Sequence, residues 1–228
     1  MEWFYETPIW ITLPLFTIGF VAISCGIVLA LVAVSVYENF AYARTTAVDE
    51  AGEVGTLYRA TTLLDESNGD ALRATIDDYM HAVIELDWPQ QERGILPDAS
   101  DAQVDEMEGH LKNITAEPGD EQAVLQQVLE TFDTFIETRR ARIDATALAL
   151  PPLLWLVIWV GAFVNVVLLA FIDVQSRRLH LLMVGLLSLF IGLVIFVTAD
   201  MDHPYAGAIS VGPGAYERVL IQVIDSED

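Results

Sequence analysis

Asp77, Asp78, His81 and Glu85 recur at about one helical turn, so on a helix three carboxylates and an imidazole share a face. Oxygen and imidazole donors gathered in this way can hold a divalent cation. The same spacing also describes an ordinary solvated acidic helix, and that reading is preferred because no second ligand cluster accompanies it. Glu85 and Asp87 are expected instead to pair with Arg139 or Arg140 from a later helix, fixing helix register more than adding stability. Asn165, one turn beyond Gly161, is the most polar side chain inside a long apolar run. Its amide must find a partner in lipid, either a permeating ion or a second helix, and the helix contact is the commoner use. Asp173, Asp200 and Asp202 stand at the ends of apolar runs, where carboxylates reach water as interfacial residues. At a pore mouth they would favour cations and oppose chloride.

Nothing here assembles a catalytic apparatus. The four histidines are scattered, and the GxSxG, phosphate-loop and HExxH patterns are absent, so the sequence predicts neither an enzyme nor a resident metal or cofactor. Cys25 is the sole cysteine and lies in an apolar run, which excludes an intrachain disulfide. The triplet at Asn113 matches a glycosylation acceptor, a pattern short enough to arise by chance.

The elements that would carry these residues are set by hydropathy. The 228 residues are 54% hydrophobic with a formal charge of −22. The charge is segregated: between Glu38 and Asp144, 24 acidic residues stand against 8 basic, leaving −16 in a segment that must face water. Such acidity excludes nucleic acid as a partner, since it repels phosphate. Lys112 is the only lysine, a balance that suits a halophilic protein bathed in concentrated salt; in that case the acidity carries no information about ligands.

Three apolar runs predict transmembrane helices over 15–37, 148–172 and 179–199, each long enough for a hydrocarbon core of about 30 Å. Residues 1–14 read as an interfacial segment with Trp3, Phe4, Tyr5 and Trp10 as aromatic anchors; it lacks the basic flank of a cleaved signal, and Pro8 and Pro14 are expected to break it. In the first span Gly19, Ala22, Gly26, Ala30 and Ala33 form a small-residue stripe suited to helix contact, and Gly185, Ser188 and Gly192 give the third a similar face. The second holds 16 Leu, Ile, Val and Phe residues and forms a hairpin with the third through DVQSRR. Orientation is contested. Arg44 follows the first span, favouring a cytoplasmic segment after it, whereas Arg177 and Arg178 argue the reverse.

Residues 38–147 read as an acidic bundle of helices. Apolar periodicity predicts one over Ala47–Leu64, a second over Asp70–Trp88 opened by the SNG turn and stopped by Pro89, and a third over Asp101–Ile114 capped by Ser100. A fourth begins after EPGD and is expected to run unbroken to Pro151 and Pro152. Residues 200–228 carry Gly-Pro turns and then an amphipathic helix with Tyr216, Val219, Leu220, Val223 and Ile224, expected to dock on the bundle. The fold class is therefore an all-α membrane protein, with three transmembrane helices and a helical bundle domain inserted between the first and second spans.

DEAGEVGTLYRA with Glu50, DDYMHAVIELDWP with Glu85, Trp88 and Pro89, RRARI with Arg140 ahead of LPPLLW with Trp155, and DHPYAG with Asp202, Pro204, Tyr205 and Gly207 occur in that order. Together they resemble a bestrophin-like domain family of prokaryotic membrane proteins without a settled activity. A more distant similarity to bestrophins, which are pentameric anion channels, rests on the Pro-aromatic-x-Gly stretch after the last span. Here Tyr205 replaces the usual Phe, and AISVGPG follows in place of a calcium-binding acidic run. The resemblance implies a membrane protein with a helical domain between its first and second spans, and the leading expectation is an oligomer in the lipid bilayer whose spans could form a pathway for small ions, with the acidic domain as vestibule or regulatory module. The alternative is a non-conducting anchor whose domain binds a partner.

Overall fold

A computed structural model describes residues 9–171 and 176–224 of the chain. Trp3, Phe4, Tyr5, Pro8 and Asp173 lie outside the described residues. All regular structure among the described residues is helical. Three helices are long and apolar enough to cross a membrane, namely α1 from Gly19 on (Ile9–Thr61 in full), α6 (Pro152–Ala170) and α7 (Arg177–Met201). The protein is thus a multi-pass membrane protein, with four further helices between its first and second spans: α2 (Glu66–Ala82), α3 (Trp88–Glu92), α4 (Asp101–Asn113) and α5 (Asp120–Ala145). A short α8 (Gly214–Val219) follows the third span.

Several boundaries differ from those expected. The helix over 47–64 is not separate: α1 continues through it, because no Gly-Pro signal interrupts residues 38–61 and the apolar residues keep their register. Pro14 lies within α1 and does not break it. SNG is not a turn but the first turn of α2, capped by Asp65, whose carboxylate accepts the Asn68 amide at 3.2 Å. Pro89 does not stop the helix. A π-helical turn over Val83–Asp87 widens it, with the Trp88 amide donating back to the Val83 carbonyl, and α3 then continues to Glu92. The widened turn accommodates a proline ring that would clash in a regular helix. Finally, α5 ends at Ala145, and Thr146–Pro151 separates it from α6, since Pro151 disfavours helix at the residue before it.

The described chain divides into two compact units. One comprises the described residues up to Tyr37 with Leu150–Ala199; the other comprises Glu38–Ala149 with the described residues from Asp200 on. The second unit has a continuous core. It is built from Ala43, Ala47, Val54 and Leu57 of α1, Leu72, Ile76 and Tyr79 of α2, Phe132 and Phe135 of α5, and Tyr205, Val211 and Tyr216 after the third span. The docking expected of the last segment is therefore observed: a Cβ at Gly55 would lie 3.2 Å from Val219 and 3.8 Å from Val223.

Candidate functional site

Two helices of the second unit carry charge where their periodicity demands apolar residues. On α1 the buried positions run Ala43, Ala47, Glu50, Val54, Leu57, Thr61, and along α5 and the residue after it they run Val128, Phe132, Phe135, Arg139, Arg142, Thr146. Alternating steps of four and three keep each series on one face. Glu50 and Arg142 are both fully buried, and the Arg142 Nε donates to Glu50 Oε2 at 2.5 Å. The same guanidinium donates through Nη1 to Gln91 at 2.7 Å and through Nη2 to Asp87 at 3.3 Å. Each of its three nitrogens thus meets a different acceptor, an arrangement that a lysine cannot reproduce.

Asp87 is positioned by the π-turn. Steps of four residues, as in Tyr79, Val83, Asp87 and Gln91, drift by about 40° each on a regular helix. A wider turn cancels part of that drift and keeps all four side chains inward. The Asp87 carboxylate also accepts from the Ser100 amide at 3.1 Å and from its hydroxyl at 2.7 Å. Ser100 does occupy the position before α4, but its side chain is drawn to Asp87 and makes no cap bond. Arg139 completes the set, with Nη2 donating to the Ser100 hydroxyl at 3.0 Å and to Asp101 at 2.6 Å. Tyr79 donates its hydroxyl to Glu50, and Gln91 donates to Thr146 at 2.7 Å.

Aromatic rings enclose the ions. Trp88 and Tyr216 lie 5.8 and 5.9 Å from the Arg142 guanidinium carbon, and Tyr205 packs edge-on to Trp88 at 5.6 Å. Trp88 donates its indole hydrogen to the Val211 carbonyl at 3.0 Å. Burial opposes the charge on Arg142, yet Glu50, Tyr216 and Tyr79 together outweigh it and hold the guanidinium protonated well above its usual range. Burial, reinforced by Glu50, pushes the Tyr79 and Tyr216 hydroxyls far up, and burial pushes Tyr205 up to about 12. These groups stay in fixed protonation states across the physiological range. With each polar nitrogen of Arg142 already bonded within the protein, the cluster has the chemistry of an internal tie.

The structure corrects the expected pairing. Glu85 and Arg140 are exposed, Asp87 meets Arg142, and Arg139 meets Asp101 and Ser100. Arg142 lies inside the RRARI phrase, where the sequence brings Arg140 forward instead, and the four-three spacing of the α5 apolar stripe through 139 and 142 is the signal that picks it out; Gln91 lies outside the quoted phrases. Of the metal-spaced residues, His81 sits on the surface with Nδ1 3.0 Å from the Asp77 carbonyl, Asp78 is exposed, and the π-turn shifts Glu85 off their register. No group of three potential metal ligands is gathered among the described residues. Asp200 and Asp202 are not free at an interface. Asp200 accepts the Ala208 and Ile209 amides at 3.0 and 2.8 Å, and Asp202 is buried beside the likewise buried Pro204. Trp155 is half-buried in α6, and Asn113 is exposed at the end of α4.

The membrane unit has its own concave feature, an apolar groove of about 420 Å³ between α1, α6 and α7. Ala22, Gly26 and Ala30 line it opposite Gly161, Ala162 and Asn165. A Cβ at Gly161 would lie 3.6 Å from the Cys25 sulfur, so Gly161 serves close helix approach. Asn165 donates one amide hydrogen to the Gly161 carbonyl of its own helix at 2.9 Å. By contrast Gly185 and Gly192 of α7 face open space, with Ser188 half-buried between them in sequence.

No curated protein and no solved structure matches the chain. A family model described as the bestrophin-like domain matches residues 14–216, which span the first apolar run, the Glu50–Arg142 tie, the DHPYAG turn and Tyr216. On that match, the chain belongs to the bestrophin-like family.

Proposed function

We propose that several copies of this chain assemble around an axis to enclose an ion pathway, with the acidic helical domain as its vestibule or regulatory module. The observation that carries this reading is how little the spans bury one another: only 6 to 11% of each apolar window is buried within the chain. Open small-residue faces at Gly185 and Gly192 suit a neighbouring helix, and helix association in lipid favours such faces. Among the described residues that line the groove, Ser24 and Asn165 each donate to a carbonyl of their own helix. A shared axis supplies the covering surface that one copy lacks. The acidic domain would concentrate cations at such a mouth, so the reading favours cation over anion passage.

Arg44 just after the first span supports a cytoplasmic domain. The acid-rich, lysine-poor composition supports a saline habitat. We read the protein as a non-enzyme on the absence of catalytic motifs in its sequence. A second reading, a non-conducting anchor whose domain recruits a partner, is favoured by spans without a central charge.

Ion release from loaded liposomes tests the first reading directly. Flux that is altered in Asn165→Leu is expected, and a tight vesicle for every alkali cation and halide tried would leave the anchor. Membrane-impermeant labelling of a cysteine at the exposed Glu117, in a Cys25→Ser background, reports the side. Labelling of intact cells would place the domain outside.

A further inference from the structure

From α2 to α3, successive side chains meet α5 and its end at successively later residues. Tyr79 packs on Phe135 at 5.2 Å, Asp87 accepts from Arg142 at 3.3 Å, and Gln91 donates to Thr146 at 2.7 Å. Helix α3 therefore runs beside α5 in the same direction. Thr146 stands six residues before Pro152, where the second span begins, a reach of at most about 22 Å. The other two connections to the spans gather at the same end of the domain: the Tyr205 hydroxyl, after the third span, reaches the carbonyls of Ala43, after the first, and of Arg142, before the second, at 3.4 Å each. Here the chain turns. Gly94, at φ +70°, closes α3, its amide donating to the Gln91 carbonyl at 2.9 Å and the Ile95 amide to the Gln90 carbonyl at 3.0 Å. The Gln90 side chain clamps the returning chain, bonding the Asp98 amide and carboxylate at 3.1 Å each. The turn so fixed presents Ile95 and Leu96 at 50 and 56% exposure, beside the exposed Arg93.

We propose that the turn over residues 93–98 is a lipid contact, with Ile95 and Leu96 seated at the boundary of headgroups and acyl chains and Arg93 reaching a lipid phosphate. Its place in the fold favours lipid as the occupant, because the turn lies at the end of the domain where all three chain connections lead into the bilayer. Size favours it too. Two side chains form a patch far smaller than the roughly 800 Å² per partner that a stable protein interface buries. Aliphatic side chains with an adjoining cation are what interfacial segments present to a membrane, the apolar part entering and the charge staying at the phosphates. The contact would hold one side of the domain to a surface whose phosphates its −16 body otherwise repels. It requires neither ion conduction nor assembly.

The test places an environment-sensitive fluorophore on Ile95→Cys, and separately on Leu96→Cys, in the full chain with Cys25→Ser, reconstituted in liposomes of phosphatidylcholine and phosphatidylglycerol. Both positions are exposed, so the domain is expected to melt as in the parent. Lipids carrying a nitroxide should quench roughly half or more of the emission, more strongly with the nitroxide near the headgroup than near the acyl end, since interfacial segments sink only about 5–10 Å into that boundary. Aqueous iodide should quench little. The same fluorophore on Glu117→Cys, which is exposed just before the opposite end of α5, should show the reverse. Iodide quenching at both 95 and 96 overturns the proposal. Shielding from iodide and from nitroxide lipid alike also overturns it, because a second copy or another protein then covers the turn. Equal quenching by nitroxide lipid at Glu117 does so as well, since the fluorophore itself then seeks the bilayer.

Discussion

Arg142 donates to Glu50, Gln91 and Asp87 from full burial, so its removal strands two carboxylates away from water. Breaking a buried pair from one side costs about 3–5 kcal/mol, whereas exposed substitutions stay within about 0.5 kcal/mol. Arg142→Leu is therefore expected to unfold the domain many degrees earlier in circular dichroism, and the neighbouring exposed Arg140→Ala to change little. Equal melting of the two variants would show that the tie is not where the stability lies. The tyrosines make a second prediction. A hydroxyl that is harder to ionise folded than unfolded contributes stability present below the unfolded value of about 10 and lost as pH rises towards the folded value. For Tyr205 the folded value is about 12. Domain stability should decline between about pH 10 and 12, and less steeply in Tyr205→Phe. Tyr79 and Tyr216, also raised by burial, add to the same decline, so the difference between the parent and Tyr205→Phe isolates the share of Tyr205. An unchanged slope in Tyr205→Phe would count against the assignment.

At the scale of elements, the turn after the third span is the most constrained backbone outside the helices. Gly207 has φ +101°, and a Cβ there would meet the Asp200 carbonyl and carboxylate oxygens at 2.9 Å. Gly207→Ala should cost about 1–3 kcal/mol, read as a lowered melting temperature of the domain. Asp200→Ala should weaken the same turn through the freed Ala208 and Ile209 amides, and indifference to both would separate the turn from stability. These elements also show what the sequence makes legible. Hydropathy reveals α6 and α7 to within a few residues because lipid tolerates little else. Glu50, Trp88 and Tyr205 stand in motifs, and Tyr216 in an amphipathic register, that the residues alone bring forward. Helix ends are less legible. Pro89 is tolerated only through a π-turn, whose hydrogen bonding leaves no mark in apolar periodicity, and SNG resembles a turn although Asp65 has already capped the helix. Arg142 stands in RRARI, but the phrase alone does not say which of its arginines is buried, and a reading that scores apolar residues alone omits an ion at a core position.

Across the whole molecule, one arrangement recurs in the membrane unit: small residues that line a contact in one place and stand unopposed in another. Gly161 closes on Cys25 within the chain, whereas at Gly19, Gly26, Gly185 and Gly192 an added methyl would meet nothing within 4 Å. Close backbone approach is the usual reason for glycine on a lipid-exposed helix, because a lone helix gains nothing from it. If copies of the chain supply the missing surface, a bulky residue on α7 should separate them without disturbing the acidic domain, whose core lies in other residues. Gly192→Leu is accordingly expected to lower the copy number seen by crosslinking in native membranes and by native mass spectrometry. Melting of the domain and alkaline titration of Tyr205 should remain as in the parent. The same substitution at Gly161, where Cys25 is already in contact, should instead disturb packing inside one chain. A parent that migrates as a single copy in both measurements, or a Gly192→Leu variant that assembles unchanged, would remove α7 as the shared face and with it the geometric basis for a common axis there.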